Sequence, residues 1–237
     1  FEKKEEQLII KGNSFSYRIR DELPYVELVL SDSKKIPLLI DLGAQQSILP
    51  LSFGEGLDLS LVGQKKIQSG HTSSAQNPII QLHNEVKMKG LVVKNMEFAL
   101  STDKLFSNFG ILGIDFFEKT KSIWNWDLKS NMIRLHQEEI ATRAHPLREN
   151  GLHRFDALEF NCKGIQIRLD TGSQVYGDFR NNLDSKELEG CAKQIEKLAP
   201  LGANQIYFSR GIDVNLGFSY LREHYDALVF DLMKGRV

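Results

Sequence analysis

Two short stretches place an aspartate at a tight turn. Residues 165–174 read IQIRLDTGSQ, and residues 36–47 read IPLLIDLGAQQS. In each, an apolar or alternating run leads to a carboxylate, Asp41 or Asp170, and a glycine follows two positions later, Gly43 or Gly172. Two carboxylates a few ångströms apart cannot both ionise cheaply, so they share one proton and titrate as a pair. Such a pair suits general acid–base work. Its ionised member takes a proton from a water, which attacks a peptide carbonyl, while the protonated member hydrogen-bonds the carbonyl oxygen. The glycines let the backbone turn sharply and come close to the carboxylates.

The elements around these turns read mostly as strands. Gln7 to Ile10, Ser14 to Arg20 and Tyr25 to Leu30 are short β-rich runs broken by Gly, Asn, Asp and Pro. Ser31 to Lys35 is a polar turn, and Ile36 to Ile40 a strand ending at Asp41. Gly63 to Leu100 predicts further strands, and the small polar residues Ser69 to Pro78 in its middle predict a mobile hairpin tip. Gly113 to Thr120 has room for a short helix. Ser122 to Asp127 and Met132 to Leu135 predict a hairpin, whose turn Asp127 starts. Glu138 to Asn150 is the least patterned stretch and reads as a linker. Phe155 to Phe160 and Ile165 to Leu169 repeat the hairpin pattern before Asp170, and Ser185 to Leu198 has helical spacing.

The two halves repeat one another. Asp41 lies 16 positions after Tyr25, and Asp170 lies 15 after Phe155. Leu112-Gly113 matches Leu216-Gly217, and Asp127 and Asp231 each sit 14 positions past their glycine. Two such units pack about a pseudo-twofold axis with their Asp turns facing. The middles differ: 72 positions separate Asp41 from Gly113 and 47 separate Asp170 from Gly217, so the first half is 25 residues longer, about one long hairpin.

Composition bounds the rest. The 237 residues suffice for one large domain or two of roughly 100–150 each. A net charge of −1 predicts no nucleic-acid partner and no anionic membrane surface. No apolar run approaches the ~20 residues that cross a bilayer. Phe1 in place of Met leads us to expect a mature or trimmed fragment. Cys162 and Cys191 are read either as one disulfide or as two free thiols. No CxxC, HExxH or Cys/His cluster occurs, so no structural metal is expected.

Asp170-Thr171-Gly172-Ser173 resembles the Asp-Thr/Ser-Gly signature of aspartic proteases, and Asp41-Leu42-Gly43-Ala44 resembles the retropepsin form Asp-Thr-Gly-Ala with one change. Ile111-Leu112-Gly113 is similar to the hydrophobic-hydrophobic-Gly segment that this family passes beside its aspartate loop, and residues 112–117 are close to the form in bacterial retropepsin-like proteins. The resemblance covers most of Tyr25 to Leu135 and, more weakly, Phe155 to Val237. It implies a mostly β, two-lobed acid-protease fold of retropepsin/pepsin-like β-barrel type with pseudo-twofold symmetry. Residues 1–145 would form a lobe with a flap hairpin and residues 146–237 a shorter lobe without one. It implies an aspartic endopeptidase with Asp41 and Asp170 as catalytic pair, supported by Gly43, Ala44, Thr171, Gly172 and Ser173. The substrate is a polypeptide held extended in the cleft, no cofactor is needed, the chain is a monomer, and the location is the periplasm or cell surface.

The departure from the family is Leu42. The family's Thr or Ser after the aspartate braces the pair by a hydrogen bond across to the opposite loop, which Thr171 can make and Leu42 cannot. Ser173 can donate to its carboxylate and Ala44 cannot, so an asymmetric pair is expected. The rival reading is a catalytically weak or inactive relative that binds a peptide or partner in the same cleft. A third is a homodimer in which each lobe pairs with its copy. His71 and Thr72 lie either over the cleft as flap residues or in a solvated loop tip. His136, His145 and His153 are expected at the surface.

Overall fold

The strand that delivers Asp41 is buried on both flanks by other strands. Lys35–Ile40 pairs antiparallel with Leu23–Val29 and parallel with Gly110–Leu112. Leu23–Val29 alternates as the pattern requires, with Pro24, Val26 and Leu28 inward and Glu27 exposed. Along Lys35–Ile40 the alternation gives way to continuous burial at Leu38, Leu39 and Ile40, where the strand runs between two neighbours into the core. The computed structural model describes residues 7–30, 34–54, 57–67, 75–102, 106–120, 122–136, 158–162, 165–174, 177–178 and 214–231. Three sheets account for the strands among them.

The largest sheet has eleven strands and is mostly antiparallel. Leu23–Val29, Lys35–Ile40, Gly110–Leu112, Ile48–Pro50, Met96–Ser101, Ala75–Leu82 and Leu59–Ile67 lie side by side in that order. The last two form a long hairpin, paired from Leu59 opposite Leu82 to Ile67 opposite Ala75 with a register shift between Leu61 and Gly63. Its tip lies outside the described residues, as do His71 and Thr72. The hairpin reaches further than the sequence suggests, since Ala75, Gln76, Asn77 and Pro78 belong to a strand and not to the tip. Pro78 is tolerated because the second neighbour, Met96–Ser101, pairs only from Ile79 to Leu82. Proline there removes no second ladder bond.

A four-stranded sheet joins the two halves. Ala227–Asp231, Ile123–Asp127, Met132–His136 and Ser14–Ser16 lie in that order, all antiparallel. The predicted hairpin around residues 128–131 is present. Trp124 and Trp126 are fully buried in its first strand, and Asn125 between them is only partly so. The indole of Trp126 packs on Phe218 at 5.8 Å and on Tyr17 at 5.6 Å, so one aromatic cluster spans both halves. His136 is a correction: it is part-buried in a strand, with Nε2 enclosed, because the hairpin runs one residue past Leu135.

The third sheet holds Leu158–Cys162, Ile165–Asp170, Val214–Gly217 and Gly177–Asp178. The linker 138–150, the helix expected over 185–198, Cys191, His145 and His153 lie outside the described residues. No helix among the described residues is long and apolar enough to cross a membrane.

Candidate active site

The repeat seen in the sequence becomes a matched register. Leu112 lies opposite Ile40, the residue before Asp41, and Leu216 lies opposite Leu169, the residue before Asp170. Both strand pairs are parallel. The turns that follow are built alike. The Ala44 N–H donates to Asp41 O at 3.2 Å, and the Ser173 N–H donates to Asp170 O at 3.1 Å. Ala44 O then accepts from the Ile114 N–H at 2.9 Å, and Ser173 O from the Phe218 N–H at 2.7 Å. Those last donors open the short helices Ile114–Lys119 and Phe218–His224, so each Asp turn is stitched to the helix that follows its Leu-Gly.

The two turns meet. A Cβ built on Gly172 would sit 2.3 Å from Asp41 Cγ, and one built on Gly43 would sit 2.8 Å from Asp170 Oδ1. No side chain fits at either place, so glycine is required for the carboxyls to approach. Each carboxyl thus lies against the glycine of the opposite turn, and the two act on each other electrostatically. Both residues are partly exposed, so the pair is open to solvent on one side.

Thr171 braces the junction from below. Fully buried, its Oγ1 accepts the Leu42 N–H at 2.9 Å and donates to Ile40 O at 2.8 Å. The counterpart, Leu42, is equally buried but packs into the main apolar core. One half of the junction is held by hydrogen bonds and the other by packing.

Burial is the largest influence on both carboxyls and raises both above the ordinary range. For Asp41 the facing Asp170 adds to the rise, and the Gly43 N–H, donating to Oδ1 at 2.8 Å, opposes it; the net effect carries Asp41 up to about 8. For Asp170 the rise is opposed first by the Asn215 amide, which donates from Nδ2 to Oδ2 at 3.2 Å, and then by the positive charge of Arg168. The Gly172 N–H serves both carboxyls. The two carboxyls therefore titrate as a pair and hold their shared proton more tightly than an isolated carboxyl would.

Residues 26–116 match the model of a family described as aspartyl protease. Over that stretch the chain is similar to aspartyl proteases. The match takes in Asp41 and the Leu112-Gly113 segment and stops short of Asp170. A crystal structure of a retropepsin-like aspartic protease from Rickettsia conorii is similar over 54% of this chain and 92% of its own, at 17% identity and a TM-score of 0.36. No curated protein matches the chain.

The matched stretch contains another buried acid that sequence reasoning passed over. Asp115 lies in the helix after Gly113. Its Oδ1 accepts the Ser47 N–H and Ser47 Oγ–H, each at 2.8 Å, and its Oδ2 accepts from Gln46 Nε2. Ser47 Oγ in turn accepts the Gly113 N–H at 3.0 Å. The cluster ties the chain leaving the Asp41 turn to the strand passing beside it. Its signal in the sequence was a lone carboxylate inside the apolar run Ile111 to Phe117. Replacing Asp115 with Ala strands three buried donors and lowers unfolding free energy by about 2–4 kcal/mol, read from urea denaturation.

Asp127 stands apart from the pair. Its Oδ1 accepts the Lys129 and Ser130 N–H groups at 3.1 and 2.8 Å, and its Oδ2 meets Arg134 Nη1 at 3.0 Å. These bonds, Ser130's foremost, hold its carboxyl down at about 2. This is the turn-starting role expected of it. Asp231 ends a strand opposite Ile123.

Proposed function

We propose that this chain is an aspartic endopeptidase whose Asp41/Asp170 pair activates a water. The carboxyl–carboxyl contact across two Asp-x-Gly turns carries the reading. Asp170, ionised, takes a proton from the water, whose oxygen bonds to the peptide carbonyl carbon. Asp41 gives its proton to the carbonyl oxygen as the double bond opens, forming a gem-diol. On collapse a diol proton returns to Asp41, the C–N bond breaks, and the proton on Asp170 goes to the leaving nitrogen. Each carboxyl ends as it began, and the reaction needs no cofactor.

The same reading divides the chain into lobes of about 1–145 and 146–237 around a cleft. In this reading the hairpin Leu59–Ile67 and Ala75–Leu82 serves as the flap. An extended polypeptide adds strand-like to the walls. Both aspartates come from one chain, which supports a working monomer, and solution mass tests it. Placement in the periplasm or at the cell surface is part of the proposal, and cell fractionation tests it.

Leu42 favours a second reading, a weak or inactive relative that binds peptides. Cleavage of casein between about pH 3 and 8 separates the two. The endopeptidase reading expects fragments from the wild type. The binder reading expects none while a peptide still binds. Leu42→Thr adds the missing hydroxyl and, under the endopeptidase reading, raises kcat/KM by about fivefold, the worth of one hydrogen bond near 1 kcal/mol.

A further inference from the structure

The two strands that flank the Asp turns are equivalent in register and unlike in one residue. Two positions before Gly113 stands Ile111, opposite Leu39; two positions before Gly217 stands Asn215, opposite Arg168. Leu39 and Arg168 each lie two before their aspartate, so Ile111 and Asn215 occupy the same place beside the pair. Both are nearly buried, at 6% and 8% exposure. Ile111 packs with Ile48 and Phe106 in a small apolar cluster that Ala44 and Phe109 border. Asn215 instead turns its amide onto Asp170 Oδ2 at 3.2 Å.

A nearly buried amide beside a carboxylate needs a reason, because an apolar side chain fills the same position in the first half without a polar group to satisfy. An amide N–H donated to a carboxyl oxygen favours the anion. Nothing comparable reaches Asp41 from Ile111. The carbonyl bonds of the two turns are matched, and of the backbone donors to the carboxyls Gly43 serves Asp41 and Gly172 serves both, so Asn215 is the donor that favours Asp170 over Asp41.

We propose that Asn215 is a positioning residue that sets the division of labour in the pair: its amide keeps Asp170 as the carboxylate that takes the water's proton and leaves Asp41 to carry the acid proton. The inference rests on the endopeptidase reading for its meaning in catalysis, but its physical content is testable without cleavage. Among the described residues, three charged or titratable groups besides Asp170 stand near the amide in space or along the strands. Asp41 faces Asp170 across the pair, and Arg168 acts on Asp170 from the same strand. The strand Gly177–Asp178 brings Asp178 opposite Val214, next to Asn215 in the chain.

The test is a carbon-13 NMR titration of the aspartate carboxyls in the wild type, Asn215→Ile and Asn215→Asp. Asn215→Ile installs the first half's residue and removes the donor. The lower step of the pair should then rise by roughly one pH unit, a tenfold change in proton affinity. Asn215→Asp keeps the shape and replaces a donor with a third acid, so the step should rise further; it reads the proposal even if the Ile variant does not fold. Where the wild type cleaves casein, the acid limb of kcat/KM should move up with the titration step in each variant, a shift that loosened packing alone does not produce. A lower step that stays in place in folded Asn215→Asp overturns the assignment. Absence of casein cleavage by the wild type, with the step still shifted, overturns the endopeptidase reading and leaves Asn215's effect on the pair standing.

Discussion

Asp170→Asn and Asp41→Asn each reduce casein cleavage by about 10³-fold or more. General acid–base catalysis is worth roughly 10²–10⁴ in rate, and each variant removes one of its two partners. Stability moves the other way. Asp41 is raised in the fold from its ordinary value of 3.8 to about 8, chiefly by burial. A carboxyl raised on folding contributes stability that is fully present below its unfolded value and is lost as pH rises through the folded value. Wild-type stability should therefore decline from pH 3.8 towards about 8, and Asp41→Asn should flatten that decline. The melting temperatures of the two proteins should agree near the acid end and separate near the alkaline end, with Asn the more stable. A variant that loses activity and also melts lower throughout would point to damage to the fold.

The second large effect needs only one methyl group. Gly172→Ala places a Cβ where Asp41 Cγ is 2.3 Å away and its oxygens are 2.4 and 2.7 Å away. Either the Asp41 carboxyl or the Gly172 turn must yield. A displacement of about 1 Å in a reacting group costs on the order of 10² in rate, so kcat/KM should fall by about that factor or more. Crowding of this kind costs about 1–3 kcal/mol in stability, so the variant should still fold. Gly54→Ala is the control. The Cβ it would add meets only Leu59 Cδ1 at 3.5 Å and Leu100 Cδ2 at 3.8 Å, ordinary contacts that do not involve the pair. Equal losses in both variants would mean that the contact between Gly172 and Asp41 is not what sets the rate.

Much of the site was legible because strand register follows spacing. The matched intervals around Asp41 and Asp170, each with a Leu-Gly downstream, were enough to imply that the same residue of each Leu-Gly strand lies beside the same residue of each Asp strand. The registers Leu112–Ile40 and Leu216–Leu169 have that form. The turn at Asp127 and the hairpin after it were legible for a local reason, since the Asp side chain bonds to residues two and three positions on.

What was not legible involves side chains that meet across long separations. Asn215 and Asp170 are 45 positions apart, and Gln46 and Asp115 are 69 apart. Neither contact leaves a periodic trace. Asn215 could have been found by setting the two halves against each other, because it is polar where its counterpart Ile111 is not. Asp115 needed only the observation that an acid sits within an apolar helix. The misplaced tip at Ala75 to Pro78 has a different origin. Small polar residues favour turns in isolation, and here pairing with Leu59–Ile67 outweighs that preference.

The sheet shared by the two halves also sets a schedule. Ile123–Asp127 forms its outer pairing only when Ala227–Asp231 arrives, about a hundred residues later. Asp170 likewise waits for Val214–Gly217 to flank it and for Phe218 to close its turn. While the chain is being made, the ribosome therefore holds a polypeptide whose first aspartate is folded and whose second is not yet seated. Under the endopeptidase reading, a pair able to activate water exists only once residues 214–218 have joined the strand and turn that carry Asp170, so a shorter nascent chain cannot cut itself or its neighbours.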